Sequence, residues 1–239
     1  MLCSSAARSA RKLIVAVTVS LALLALAGGP AAAADGGFAS VARNFSLSGD
    51  RDAVSAVVRV NRAAAGSGLA LAVTLGKDSG VVTIVLKQDG GRAGSRGVQV
   101  DGFSMDFKDV QGCDYEMRLY CERAGYDWVA GRAYKISVVR GGRNGQGWLW
   151  TARIKDLKTG KTTKLVSLRS PASALTAGSV SLYTNPTDCA DIAPVAGVVK
   201  KPRGAGSTVA WGKAENYGSC EGATLRAPIV RGAARLSIS

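Results

Sequence analysis

YDWVAGRAYKISVVR (residues 126–140), GWLWTARIKD (147–156) and TKLVSLRSP (163–171) are the runs that decide the fold. Each alternates apolar with polar residues, and a period of two is typical of a β-strand with one buried face. In the second run Trp148, Trp150 and Ile154 share one face, while Arg153 and Lys155 share the other. A KTGK turn (158–161) separates the second and third runs. We therefore predict three consecutive antiparallel strands at the centre of a sheet, with both tryptophans packed in the core.

The same alternation recurs elsewhere in the chain. It predicts further strands at residues 53–61, 69–75, 81–88, 98–107, 180–183, 208–211 and 223–230. Loops are predicted at 89–97, 111–125, 140–147 and 185–206. No run of 11 or more residues has helical periodicity. About nine or ten short strands indicate an all-β fold, a two-sheet antiparallel jelly-roll sandwich stapled by disulfides.

Residues 1–34 have the pattern of a secretory signal peptide. Arg8, Arg11 and Lys12 precede an uncharged apolar run, and four alanines at 31–34 supply a cleavage site. An uncleaved anchor is the alternative, but the apolar run is shorter than the roughly 20 residues that a spanning helix needs. We expect one mature domain over residues 35–239, secreted and extracellular, with no integral membrane segment after signal cleavage.

Four cysteines remain in the mature chain: Cys113, Cys121, Cys189 and Cys220. An even number in an exported chain indicates two disulfides. Three pairings can be drawn, and we favour Cys113 with Cys121 and Cys189 with Cys220. A metal site is disfavoured because the chain has no Cys-x-x-Cys motif and no histidine. We expect neither a metal nor a cofactor.

The mature chain is strongly basic. The full sequence has 31 lysines and arginines against 17 acidic residues, and loss of the three signal-peptide cations leaves a net charge of +11. Such a surface attracts anions, so the expected partner is an extracellular polysaccharide or cell-wall polymer and not a specific nucleic acid. The alternative is that the positive charge serves only to keep the protein soluble, since net charge by itself does not define a binding site. The sequence leaves the oligomeric state open.

The absence of histidine limits the chemistry. A Ser-His-Asp or Cys-His arrangement is excluded. Glycoside hydrolysis needs only two carboxylates at a set separation. The mature glutamates are Glu116, Glu122, Glu215 and Glu221, and none falls in a predicted strand. Loop carboxylates that offset nearby cations are the simpler interpretation, so we name no catalytic residue.

Aromatic residues in or near the predicted loops are candidate ligand-binding groups. Tyr126, Trp128, Trp211 and Tyr217 are in such positions, where a ring can stack on a sugar. A ring that serves as a lid over the core is the alternative for each of them.

The polar face of the central strands supplies a second candidate. Lys135, Arg153 and Lys155, with Lys164 beside them, form a basic stripe if the three strands are neighbours. Like charges opposite each other are unfavourable unless a counter-charge compensates, which favours an anionic ligand. The alternative is a solvated sheet face that also resists edge aggregation.

The runs at 126–134 and 147–156, followed by Thr159-Gly160, resemble the centre of concanavalin A-like lectin/glucanase sandwiches and of uncharacterised secreted actinobacterial proteins. Residues 187–189 (TDC) and 215–220 (ENYGSC) are similar to the second group. The resemblance implies a jelly-roll sandwich and recognition of a glycan or cell surface. The acid pair of the glucanases is not recognisable, so their activity is not implied.

These observations predict a secreted non-catalytic module that binds an extracellular polymer, either carbohydrate or anionic cell-wall material. The alternatives are a glycan-active enzyme, hydrolase or lyase, that uses loop carboxylates, and a secreted protein-binding or inhibitor module.

Overall fold

A computed structural model of the chain describes residues 37–76, 80–89, 96–103, 106–109, 120–124, 126–206 and 208–239. For residues 103, 106–109 and 120–124 the description covers the backbone alone. The predicted signal peptide lies outside the described residues and stays a prediction.

The described strands form two antiparallel sheets, which confirms the predicted disulfide-stapled sandwich. Sheet A has seven strands in the order β14 (Val209–Gly218), β1 (Ala39–Arg51), β11 (Leu175–Thr184), β3 (Ser67–Leu75), β4 (Val81–Gln88), β5 (Arg96–Phe103) and β7 (Tyr120–Ala124). Sheet B has the order β15 (Leu225–Arg226), β17 (Ala233–Ile238), β12 (Val195–Lys200), β2 (Ala53–Arg62), β8 (Tyr134–Asn144), β9 (Gly147–Asp156), β10 (Thr162–Ser170) and β6 (Asp106–Asp109). Two short strands complete it: β13 (Arg203–Gly204) pairs with β2, and β16 (Ile229–Val230) pairs with β17.

The core lies between the inner faces of the two sheets. On β3, alternation buries Leu69, Leu71, Val73 and Leu75 completely, as the sequence predicts. They belong to one apolar cluster with the inward residues of β2 and β8. Burying a side chain of this size contributes about 1.5–3 kcal/mol to stability, so these alternating positions account for much of the cohesion between the sheets.

The three predicted central strands are neighbours, in the order β8, β9, β10. Gly160 has a φ of 76° in the turn between β9 and β10, which is the left-handed conformation expected of a glycine turn. Trp150 is fully buried, and its Nε1 donates to the Ala172 carbonyl at 3.2 Å. Trp148 is only half-buried, with the Arg140 guanidinium 4.5 Å from its ring centroid. The prediction that both tryptophans pack in the core is therefore confirmed for Trp150, whereas Trp148 packs against the core cluster and stays partly exposed.

Several predicted loops contain strands. The predicted loop at 111–125 contains β7, and the Pro- and Lys-rich region at 185–206 contains β12 and β13. The loose hairpin loop predicted at 140–147 is a tight connection, because β8 runs to Asn144 and β9 begins at Gly147. In each case pairing with a neighbouring strand overrides the local preference of glycine, proline and charged residues for turns.

The C-terminal disulfide is confirmed. Cys189 and Cys220 are bonded, with an S–S distance of 2.05 Å. Cys189 begins a single 3₁₀ turn after β11, and Cys220 follows β14, so the bridge joins the ends of two strands of sheet A. The predicted Cys113–Cys121 bridge lies outside the described side chains. Among the described residues, no helix is long and apolar enough to cross a membrane.

Candidate functional site

Sheet A buries side chains on its outer face as well, the face that points away from sheet B. A row of successive register partners crosses five strands there: Ala42 on β1, Ser181 on β11, Ala70 on β3, Val85 on β4 and Gln99 on β5. All five are buried, although they alternate with the residues of the core. We call these five residues the cross-strand row. Most of its side chains are small and project little from the sheet.

A hydrogen-bonded polar group lies at the β5 end of this row. Lys87 Nζ donates to Gln99 Oε1 at 2.7 Å, and Gln99 Nε2 donates to Asp101 Oδ1 at 2.6 Å. Gln99 is only 2% exposed. We call these three residues the Gln99 cluster. A buried amide requires partners for its polar atoms, and here the ammonium and carboxylate together fix which way the amide points.

The β4–β5 pairing positions this cluster. Lys87 is the register partner of Gly97, which has no side chain to obstruct the path of the lysine towards Gln99. Gln99 and Asp101 are two residues apart on β5 and share a face, while Val98 and Val100 between and beside them enter the core. The alternation of β5 therefore places apolar side chains in the core and polar side chains on the outer face.

Trp128 is hydrogen-bonded to the end of the β4–β5 strand pair. It is 1% exposed, and its Nε1 donates to the Lys87 carbonyl at 2.9 Å and to the Gly97 carbonyl at 3.1 Å. The Arg96 guanidinium lies 5.0 Å from its ring centroid. Its ring has no exposed face, so the predicted use of Trp128 as a sugar platform is wrong. The ring is buried because its N–H finds two backbone acceptors inside the fold.

Tyr126 lies beside this tryptophan and is half-buried. Its ring meets Tyr134 edge-on, with centroids 6.3 Å apart. Burial, and then the negative charges of Tyr134 and Asp156 when ionised, raise the pKa of Tyr126 to about 12. Its hydroxyl therefore stays protonated at neutral pH, and its ligand-binding role stays a prediction.

Trp211 and Tyr217 are both on β14, the edge strand of sheet A. Trp211 Nε1 donates to the Gly232 carbonyl at 3.0 Å, and its ring meets Phe45 edge-on. The Tyr217 hydroxyl donates to Glu215 Oε2, and burial followed by this bond raises the pKa of Tyr217. They lie in a strand and not in loops, at the opposite edge of the sheet from Trp128. Their predicted ligand-binding roles stay predictions.

Two glutamates also lie in strands, contrary to the sequence prediction. Glu215 is on β14, and Glu122 on β7 is the register partner of Gln99. Glu221 is exposed after β14, and Glu116 lies outside the described residues. Within the described part of the chain, no group of three or more acidic or cysteine side chains is placed to hold a metal ion.

The predicted basic stripe lies on the outer face of sheet B. Lys135 on β8 is the register partner of Lys155 on β9, and Arg153 on β9 is the partner of Lys164 on β10. All four side chains are exposed. Of the residues predicted to bind a ligand, Lys135, Arg153 and Lys155 are thus brought together. The binding role of this stripe stays a prediction.

Sequence reasoning missed the Gln99 cluster. The signal was present, because Gln99 and Asp101 alternate with Val98, Val100 and the glycine at 102. What the sequence does not reveal is that the polar face of β5 is also buried, since burial of a second face depends on tertiary packing.

Comparison with solved structures finds similar sandwiches. A scytalido-glutamic peptidase with a transition state analog inhibitor aligns over 83% of this chain and 97% of its own, with a TM-score of 0.49 and 10% identity. The same type of peptidase with a peptide-based transition state analog gives a TM-score of 0.46 and 11% identity, covering 84% and 98%. SCP-B, a member of the Eqolisin family of peptidases in complex with the tripeptide Ala-Ile-His, gives 0.41 and 13%, covering 84% and 98%. No family model matches the chain, and no curated protein matches it.

These comparisons correct two predictions. The resemblance to lectin/glucanase sandwiches holds for the β-sandwich architecture, and no family match supports the lectin family itself. The predicted non-catalytic polymer-binding module is contradicted, because the similar structures are peptidases. At 10–13% identity the likeness concerns the fold alone. The chemistry of this chain is therefore argued from its own residues.

Proposed function

We propose that this protein is an exported hydrolase that cleaves amide bonds of an extended peptide, with the Gln99 cluster as its reactive group. The observation that supports this proposal is the hydrogen-bonded series Lys87–Gln99–Asp101, in which the buried amide of Gln99 and a half-buried carboxylate are held side by side. In a chain without histidine, a carboxylate is the side chain available to activate water near neutral or acidic pH.

Each member of the cluster has a role in this scheme. Asp101 takes a proton from water as the water oxygen bonds to the scissile carbonyl carbon. Gln99 has two N–H groups on Nε2; one is used by Asp101, and the other donates to the carbonyl oxygen as it gains negative charge. The C–N bond then breaks as the protonated Asp101 returns its proton to the leaving nitrogen, which restores the carboxylate.

Lys87 is a positioning residue in this scheme. Its ammonium donates to Gln99 Oε1, which requires Nε2 to face Asp101. A charge-assisted bond to the carbonyl end also polarises the amide and strengthens its N–H groups as donors. In buried surroundings these interactions are stronger than in water.

The cross-strand row supports an extended substrate. Antiparallel strands lie about 4.8 Å apart, so the row from Ala42 to Gln99 spans four intervals, or about 19 Å. Because alanine and serine side chains project little from a sheet, we propose that the substrate lies across the strands along this row.

The structural likeness to peptidases motivates the choice of peptide substrates for testing, without assigning residues. Export is part of the proposal: the signal-peptide pattern and the Cys189–Cys220 disulfide both support an extracellular protein.

The test is hydrolysis of unfolded protein by the mature chain recovered after export, measured as new amino termini from pH 2 to pH 8. Asp101→Asn should lower kcat by about 10²–10⁴-fold, because it removes the base without changing its size. Gln99→Ala should lower kcat by about 10²–10³-fold through loss of the oxyanion donor.

Glu221→Gln is the matched control, since it removes an exposed carboxylate remote from β5. It should leave kcat within about twofold, as surface changes usually do. Absence of hydrolysis by the unmodified protein at every pH, or an Asp101→Asn variant as active as this control, would refute the proposal. Circular dichroism of each variant establishes that the sandwich is folded.

A further inference from the structure

The outer face of sheet B is built differently from that of sheet A, because its cations are exposed. We define the basic face as Lys135, Arg153 and Lys155. Lys135 lies opposite Lys155 as a cross-strand pair of like charge, and Arg153 precedes Lys155 by two residues on the same face of β9. Like charges directly opposite each other on one face destabilise a sheet, so this arrangement needs a reason.

Edge protection does not supply that reason. Charged side chains are useful on edge strands, where they prevent pairing with another chain. Lys135, Arg153 and Lys155 lie on interior strands, because β2 flanks β8 and β10 flanks β9 at these positions. Charge there protects no edge.

Among the described residues, the register rows through these three residues contain no acidic side chain. One row continues to Val57 on β2 and Thr162 on β10, and the other to Ser137 and Ser55. Arg203 on β13 is the partner of Ser55 and extends the second row with another cation.

The acidic side chain nearest in sequence is also committed elsewhere. Asp156 follows Lys155, but its carboxylate accepts from Arg132 at 2.9 Å and from the Lys158 and Thr159 amides. It therefore does not neutralise the basic face.

We propose that the basic face docks a linear phosphodiester polymer of the cell envelope. Along β9, Arg153 and Lys155 are two residues apart, or about 6.7 Å, comparable with the separation of successive phosphates in an extended phosphodiester chain. A guanidinium binds phosphate through paired N–H groups, and ammonium groups bind it as point charges. The hydroxyls of Thr162, Ser137 and Ser55, which continue the same register rows, add donors for phosphate oxygens.

The composition of this face distinguishes a wall polymer from single-stranded nucleic acid. Binding of nucleic acid single strands combines cations with aromatic rings on which bases stack. The described residues of the two rows are valine, serine, threonine, lysine and arginine, without an aromatic ring. A polymer of glycerol or ribitol phosphate has no base to stack and needs none.

The test uses the mature chain and soluble poly(glycerol phosphate), with affinity measured by calorimetry at about 20 mM and about 200 mM salt. Binding should weaken steeply with salt, as counterion release requires. The triple variant Lys135→Gln, Arg153→Gln, Lys155→Gln should lose at least about tenfold in affinity.

The matched control is Lys213→Gln, Arg226→Gln, Arg231→Gln, which removes the same charge from exposed positions on or beside β14, β15 and β17. It should change affinity by less than about threefold, since loss of net charge alone acts non-specifically. Equal losses in the two triple variants would overturn the proposal, as would the absence of binding at low salt. Tighter binding of single-stranded DNA than of the phosphate polymer would also contradict it.

Discussion

At the scale of single residues, Asp156 shows how one buried carboxylate closes a turn. Asp156 is buried, and burial alone would raise the pKa of its carboxyl group. The backbone amides of Lys158 and Thr159 and the side chain of Arg132 donate hydrogen bonds to the carboxylate, and together they lower its pKa. A carboxyl with a lowered pKa in the folded state stabilises the fold above its unfolded pKa of about 3.9 and loses that contribution as pH falls through the folded value. The β9–β10 turn is therefore acid-sensitive.

Replacement of this carboxyl should remove the sensitivity. Asp156→Asn should lower stability at pH 7 and flatten the decline of the free energy of unfolding below about pH 4, because the amide does not titrate. Urea unfolding at a series of pH values measures this. The matched control is Asp188→Asn, which keeps an acceptor for the Ala190 amide and should retain the acid dependence of the parent protein. If the free energy of unfolding falls equally steeply at low pH in Asp156→Asn and in the parent protein, this turn is not the cause of the acid sensitivity.

At the scale of elements, the Cys189–Cys220 bridge fixes how β11 and β14 end. Gly37, two residues before the start of β1, lies against this bridge, since a Cβ there would come within 2.7 Å of Cys220 Sγ. The two bonded cysteines are 31 positions apart in the sequence. Closing a loop of this length restricts the unfolded chain by about 3–4 kcal/mol.

Removal of the bridge should therefore cost about 3–4 kcal/mol in the free energy of unfolding. The double variant Cys189→Ala, Cys220→Ala tests this by denaturant unfolding. Both proteins are also measured under reduction, which removes the predicted Cys113–Cys121 bridge from each, so that their remaining difference gives the effect of losing the sulfur atoms. A loss below about 1 kcal/mol would indicate that the unfolded chain is already restricted near this loop.

The elements predicted correctly are those with long, uninterrupted alternation. The β8–β9–β10 region was recognisable because three alternating runs are separated by glycine-containing turns. The strands β12 and β17 were missed, because β12 lies in a segment with prolines and lysines and β17 lies beyond the last predicted run. Sheet order was not predictable either: β1 pairs with β11 and β14, partners more than 100 residues away.

At the scale of the whole molecule, the two outer faces of the sandwich differ in burial. The outer face of sheet A buries Gln99, Ser40 and Ser181, whereas that of sheet B exposes Lys135, Arg153 and Lys155. The basic face was visible in the sequence because its strands are consecutive. The Gln99 cluster was not, because a period of two assigns residues to a face without revealing whether that face is covered.

Separation by the core predicts that the two proposed activities are independent. Packed sheets lie about 10 Å apart, and the Gln99 cluster and the basic face point away from each other. Effects of changes at sites this distant and without shared partners normally add. Asp101→Asn should lower kcat for peptide hydrolysis by the expected factor of about 10²–10⁴ and retain polymer affinity. The basic-face triple variant should lose affinity and retain kcat on a soluble peptide. Both properties measured on the combined variant should equal the product of the separate fold-changes. Departure from that product by more than about threefold would mean that the faces communicate through the sandwich.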